Sequence, residues 1–340
     1  MRASVARRVA IPAMPASPPA IPAGGRIQDL SGATMGTTWS CRFVGSSASA
    51  QTLRRTIPLA LDRVIAQMSP WEHQSDTSRF NRLPLDQWQD LPRELGQVMA
   101  SALRIAHESD GAYDPTMGAL IDLWGFGPSG PRTAPPPQDE IARLHRACGW
   151  RQLQFDPSGR RLRRDNRGPV NLCGIAKGFA VDLVAETLLE LGIHNALVEI
   201  GGELRGHGVK PDGTPWWVEI DRPAQTAAGI AAEPMLVALH DLAIATSGCE
   251  RGFAHGARHF SHTLDPRTGW PITNNMVTAT VLHRSCMEAD AYATALMVLG
   301  PDAGIDFAVK HQLAALIRFA DRDDGSIAEQ TTPALDAMLA

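Results

Sequence analysis

Leu53, Ile57, Leu61, Val64 and Ile65 fall three or four residues apart and predict an amphipathic helix over 51–67. The same periodicity predicts helices over 94–109 and 138–147. Over 178–191, Val181, Val184, Ala185, Leu188 and Leu189 form one apolar face, and Gly192 supplies the stop. Ser285-Cys286-Met287-Glu288 reads as a capping box that starts a helix over 286–299, with a further helix over 302–311. Elsewhere the pattern shortens. Trp39, Cys41 and Phe43 alternate with polar residues and predict a strand over 37–44. Further strands are predicted at 153–155, 161–163, 195–200, 216–221, 235–246, 258–264, 276–283 and 313–319. A loop bearing Pro70, Ser75 and Ser78 separates the first two helices, and five prolines mark 128–137 as a long surface loop. Helices and strands in this irregular order imply an α+β fold with several antiparallel strands and packed helices.

Composition narrows the class. The 340 residues are 44% hydrophobic and 20% charged, enough to bury a sizeable core. A net charge of −4 argues against a nucleic-acid binder, which would carry a basic patch. Five scattered cysteines without a CxxC pair predict reduced thiols. No apolar run approaches the roughly 18 residues a membrane span needs, so no membrane anchor is expected. Arg7-Arg8 precedes a stretch in which Pro12, Pro15, Pro18, Pro19 and Pro22 interrupt any signal-peptide core. The expectation is therefore a disordered Ala/Pro-rich leader over 1–28, one domain over 29–325, a tail over 326–340, and a cytoplasmic location.

Several motifs carry candidate chemistry. Gly125-Phe126-Gly127-Pro128-Ser129-Gly130 matches GxGxxG, but Pro128 and Pro131 make it a turn rather than a dinucleotide fingerprint. Cys249, His255, His259 and His262 crowd together, yet the alternation predicted over 258–264 puts His259 and His262 on opposite faces, against a metal cluster. Asn171-Leu172-Cys173-Gly174-Ile175-Ala176-Lys177-Gly178 leads into the 178–191 helix. Free backbone N–H groups and Lys177 there suit an anion, although an ordinary helix start with an exposed lysine fits the pattern equally well. Gly201-Gly202 and Thr246-Ser247-Gly248 follow strands where backbone can approach a ligand. Asp290 and Thr294 stand one helical turn apart among small alanines and offer hard oxygen ligands suited to Mg²⁺. Asp265-Pro266-Arg267-Thr268-Gly269 reads as a tight turn, and His262 just before it is a general base by residue type.

Taken in order, these segments resemble the ApbE family of FAD:protein FMN transferases over about residues 33–320. The resemblance rests on Met35-Gly36-Thr37, the run from Met68 to Asn81 ending Ser78-Arg79-Phe80-Asn81, Gly111-Ala112-Tyr113-Asp114-Pro115-Thr116 and Leu123-Trp124-Gly125-Phe126-Gly127-Pro128. It continues through Gly174-Ile175-Ala176-Lys177-Gly178, Glu199-Ile200-Gly201-Gly202-Glu203, Ala245-Thr246-Ser247-Gly248, Ser261-His262 with Asp265 to Gly269, and Glu288 to Leu296. It implies an enzyme that uses Mg²⁺ to split FAD and attach the FMN half to a threonine of a partner flavoprotein, releasing AMP. By matching position, Met35, Trp71, Ala112, Tyr113, Asp114, Asn171, Lys177 and Leu264 would line the FAD site. The Gly174 carbonyl, Asp290 and Thr294 would hold the metal, and His262 would activate the acceptor hydroxyl.

The chain departs from the family pattern at Asn171, where Asp is usual, at Cys173, where Gly is usual, and at Trp71, where Tyr is common. Two other readings stay open: a metal-dependent FAD pyrophosphatase giving free FMN and AMP, and a flavin-binding protein without turnover. Asp29-Leu30-Ser31-Gly32-Ala33-Thr34 resembles the acceptor motif that such enzymes modify, which raises Thr34 as a self-modification site beside its plain role before a strand.

Overall fold

The computed structural model describes residues 8–13, 20–21, 24–220, 234–321 and 325–339. Alternation along the strands decides the layers. Ala243 and Ala245 face one side of the main sheet and Leu242 and Ile244 the other, as the period of two in an extended chain requires. The same division separates Phe43 from Val44, Val281 from Leu282, and Ile317 from Leu316.

That sheet has eight antiparallel strands in the spatial order Ile327–Thr331, Ala314–Ala320, Met276–His283, Leu242–Gly248, Glu203–His207, Ala196–Ile200, Thr37–Gly45 and Arg26–Thr34. Helices Ser47–Met68, Arg93–Glu108, Ala176–Glu190 and Cys286–Leu299 cover one face and form the larger core with it. The other face packs on a three-stranded sheet of Arg8–Ala10, Met235–Leu239 and Trp216–Ile220, with Trp216, Val237 and Leu239 buried between the two. The expected α+β architecture holds.

The predicted helix over 286–299 and strand over 276–283 have the boundaries read from the pattern. Other elements differ for identifiable reasons. The apolar run over 235–246 is two strands, because His240-Asp241 turns the chain with Asp241 at φ 49°, and the halves join different sheets. The predicted strand over 258–264 stops at Ser261, whose hydroxyl accepts the Thr263 N–H at 3.2 Å. The loop after Pro70 contains a helix, Asp76–Arg82, capped by Ser75. Arg26–Thr34 and Glu203–His207 are strands that the pattern missed, since both mix polar residues and glycine with few branched ones. The leader and tail expectations change as well. Arg8–Ala10 pairs in parallel with Met235–Val237, and Ile327–Thr331 closes one edge of the main sheet. Residues 1–7, 14–19 and 22–23 of the leader, and residue 221 of the predicted strand, lie outside the described residues.

At one end of the main sheet the chain makes two tight turns side by side, and a third strand ends beside them. Met35 (φ 48°) and Gly36 (φ 72°) form a two-residue hairpin between Thr34 and Thr37. Gly201 (φ 62°) and Gly202 (φ 103°) turn between Ile200 and Glu203, and the Gly201 N–H donates to the Thr38 carbonyl at 3.1 Å. The strand Leu242–Gly248 ends at the same edge with Ser247 and Gly248.

Candidate active site

Helices Ala176–Glu190 and Cys286–Leu299 cross close to that end of the sheet, and glycine makes the approach possible. A β-carbon on Gly178 would sit 2.3 Å from the Cys286 carbonyl oxygen, so no side chain fits there. Asp182, one turn further along, fastens the crossing. Its carboxylate accepts from the Cys286 and Met287 N–H groups at 3.0 Å each, from the Ser285 hydroxyl at 2.8 Å and from Arg205 at 2.6 Å. These bonds satisfy N–H groups that a helix start leaves without partners.

The crossing puts Asp290 against the start of the first helix. Its Oδ2 accepts the Gly178 N–H at 3.1 Å, and burial raises its pKa against the opposing pull of Lys177. Among the described residues its other oxygen has no hydrogen-bond donor. One turn on, Thr294 Oγ1 lies 3.4 Å from Ser247 Oγ and 3.2 Å from where a Gly174 β-carbon would be. The Tyr113 ring lies beside Gly174, and burial together with the Asp290 charge pushes its hydroxyl well above the usual range. Gly174, Lys177, Asp290, Thr294 and Tyr113 thus come together from three distant stretches of chain.

Lys177 pairs with Glu203, the first residue after the Gly201-Gly202 turn. Burial lowers the lysine pKa, but the Asp290 and Glu203 charges outweigh it and raise the value. Burial and the Asp290 charge raise the Glu203 pKa. Glu203 received no role from the sequence. The signal available was a carboxylate at an inward-facing position directly after a double-glycine turn.

The remaining predicted residues take varied positions. Ala112 is buried, and Asp114 spends its carboxylate on the Thr116 N–H and hydroxyl, both at 2.7 Å, and on the Trp150 N–H at 3.1 Å. Asn171 Oδ1 accepts the Cys173 N–H at 2.9 Å, a turn that needs an acceptor oxygen and no charge. Met35 is half-buried at its hairpin tip, whereas Trp71 is 53% exposed on the far side of helix Ser47–Met68 in sequence. Leu264 belongs to a separate cluster with Met117, Leu120, Trp124 and Ile141. Thr34 is buried at the end of its strand, so its hydroxyl is not presented as an acceptor. A cavity of about 390 Å³ runs along Asp29–Thr34 against Arg54, Pro58 and Asp62 and includes none of the Lys177–Asp290 group.

His262 rides on a different support. The hairpin Gly252–His255 with Arg258–Ser261 stacks Phe253 on Phe260 (5.3 Å) and Phe260 on Trp124 (5.6 Å). The Trp124 indole N–H donates to the Gly269 carbonyl at 3.0 Å, and Arg267 reaches the Val298 carbonyl at 3.1 Å, tying the following turn to the Asp290 helix. His262 Nδ1 lies 3.1 Å from the Arg251 carbonyl, which can only accept, so Nδ1 carries the proton and Nε2 keeps its lone pair. Burial lowers the His262 pKa, and the Arg251 and Lys177 charges lower it further against that hydrogen bond. The imidazole is therefore neutral near pH 7 and able to accept a proton.

Comparison with known proteins decides the family. The ApbE family model matches residues 35–317. The chain belongs to the ApbE family. An FAD:protein FMN transferase of Vibrio cholerae is 37% identical over 300 residues, covering 87% of this chain and 88% of that protein. One of Haemophilus influenzae is 34% identical, with 86% of each chain covered. Among solved structures, the flavin transferase ApbE of Vibrio cholerae superposes with a TM-score of 0.85 at 36% identity, covering 93% of this chain and all of that one. The apo form of the Pseudomonas stutzeri flavinyl transferase ApbE gives 0.83 at 33% identity, covering 92% and 97%. Membership carries the class of chemistry with it: this ApbE-family chain is an enzyme, a transferase of the flavin-transferring family.

Among the described residues no three His, Cys, Asp or Glu side chains converge as a metal cluster. The group around Asp290 is of another kind, with one carboxylate, hydroxyls from Thr294 and Ser247, and the backbone at Gly174. All are oxygen donors. The unengaged Asp290 oxygen and these oxygen donors fit a hard cation that keeps part of its water shell, with the Lys177 ammonium close by. No described helix is long and apolar enough to cross a membrane.

Proposed function

We propose that this enzyme transfers the FMN half of FAD to a threonine hydroxyl of a partner flavoprotein, releases AMP, and uses Mg²⁺ to do so. The observation that carries the reading is the approach of Asp290 and Thr294 to the start of the Lys177 helix, with Lys177 near enough to a neutral histidine to lower its pKa. Lys177 and the N–H groups at that helix start would bind the pyrophosphate as an anion. Asp290, Thr294 and the Gly174 carbonyl would hold Mg²⁺, which when bound neutralises charge on the pyrophosphate oxygens. Met35, Trp71, Ala112, Tyr113, Asp114, Asn171 and Leu264 complete the proposed FAD site, with Trp71 exposed to stack on an aromatic ring and Asp114 and Asn171 shaping backbone.

His262 Nε2 takes the threonine proton as the threonine oxygen bonds to the FMN phosphorus. The bond from that phosphorus to the bridging oxygen breaks, and AMP leaves with the oxygen. Phosphoryl transfer of this kind needs position and charge stabilisation more than covalent help from the protein. Incubating the chain with FAD, Mg²⁺ and a threonine-bearing acceptor domain should add an FMN-sized mass to the acceptor and release one AMP for each. Free FMN and AMP with an unmodified acceptor would make the enzyme a pyrophosphatase, and bound, intact FAD would make it a flavin carrier.

A further inference from the structure

Lys177 stands between two carboxylates, and only one of them holds it. Its ammonium pairs with Glu203 Oε1, whose side chain is 3% exposed, whereas the lysine is 34% exposed. Glu203 is thus an anchor inside the protein and Lys177 the group that reaches outward. Asp290 is the other anion in range, since its charge raises the lysine pKa ahead of that of Glu203. Lysine is a compact charge on a flexible four-carbon stem, so its ammonium can swing between neighbouring carboxylates. Released from Glu203, it would turn to the Asp290 oxygen that has no hydrogen bond.

The backbone supports an assignment to Glu203 rather than to chance pairing. Glu203 begins a strand directly after Gly201 and Gly202, both at positive φ, and its own backbone pairs with Ile200 across the turn. The carboxylate is therefore fixed by the sheet. Its Oε2 is buried without a hydrogen-bond partner, so the side chain makes no bond other than that to Lys177 among the described residues. A buried carboxylate with one partner is costly to keep unless the pairing serves the site.

We infer that Glu203 is a positioning residue that holds the Lys177 ammonium off Asp290, leaving Asp290 open to a divalent cation and the lysine aimed at the bound phosphate. The inference rests on the proposed cation role of Asp290. It is tested by titrating Mn²⁺ onto the full chain without FAD and following free Mn²⁺ by electron paramagnetic resonance. Glu203→Gln should weaken Mn²⁺ binding about tenfold, the scale of coupling between charged groups in contact. Lys177→Met should tighten it. In the Lys177→Met background, Glu203→Gln should then change the affinity less than about twofold, because the competitor is gone. An equal effect in both backgrounds would mean that Glu203 acts on the cation directly, and no effect in either would mean that it does not act; each overturns the inference. Asp290→Asn separates the two levels. If it abolishes Mn²⁺ binding while Glu203→Gln does nothing, the inference alone fails; if it leaves Mn²⁺ binding unchanged, the cation reading fails with it. Should Glu203→Gln not give a cooperative melt, Glu203→Asp shortens the reach to Lys177 at constant charge and carries the same cycle.

Discussion

At the helix crossing, Gly178, Asp182 and Asp290 are buried in the main core and fastened by backbone hydrogen bonds. His262, by contrast, is half-buried on a hairpin supported by a small aromatic cluster around Trp124. The first region cannot shift without parting two helices. The second reaches it through the segment that follows, where Arg267 donates to the Val298 carbonyl and Asn274 to the Met297 and Val298 carbonyls. The difference teaches that the helix-crossing groups proposed to hold the pyrophosphate and the cation are fixed by the main core, while the proposed proton acceptor sits on a separately packed arm whose cluster also contains Leu264.

The strongest test of that division is His262→Ala. A general base contributes about 10²–10⁴-fold, so kcat should fall by that much while FAD affinity, read by quenching of flavin fluorescence, stays within about twofold. A large loss of FAD affinity instead would place His262 in the binding region. Next, Asp290→Asn should lower the rate about 10²–10³-fold through lost charge stabilisation and abolish its response to added Mg²⁺. A cooperative melt near that of the parent would show the effect to be local, and an unchanged Mg²⁺ response would move the cation elsewhere.

Gly178→Ala probes the crossing by packing alone. The added carbon would meet the Cys286 carbonyl at 2.3 Å, so unfolding in denaturant should show a loss of about 1–3 kcal/mol. An unchanged midpoint would mean that the helices part freely. The smallest expected effect is on pH. In the proposed mechanism the neutral imidazole is the base, and its pKa lies below the ordinary histidine value because of burial, with Arg251 and Lys177 adding to the depression. Activity should therefore persist as the medium turns mildly acidic, and be lost only as pH falls through that lowered pKa. Arg251→Gln removes one of the two cations but keeps the backbone carbonyl, so the acid limb of kcat should move up by less than about one unit. A downward move would contradict the assigned cause.

Much of this was legible in the chain. The helical repeat over 178–191, the capping box at Ser285, and the one-turn spacing of Asp290 and Thr294 follow from local geometry, which sequence encodes directly. The Asn171 departure is also explained locally, since its amide oxygen caps Cys173 as a carboxylate would. Legibility failed where polar strands are held by neighbours rather than by their own pattern, as in Arg26–Thr34 and Glu203–His207. It failed again where an apolar run broken only by His240-Asp241 turned a corner there.

The sequence by itself determined the main helices and several strands, the α+β class and the ordered motifs, because periodicity and capping act over a few residues. Only the tertiary structure decided which groups meet. The meeting of Glu203 with Lys177, of Gly178 with Cys286, and of Asp182 with the start of the Asp290 helix joins residues 26, 108 and 103–105 apart in the chain. Such contacts are fixed by how the helices pack on the sheet and by which buried charges must find partners there, and neither is written in the spacing of residues along the chain.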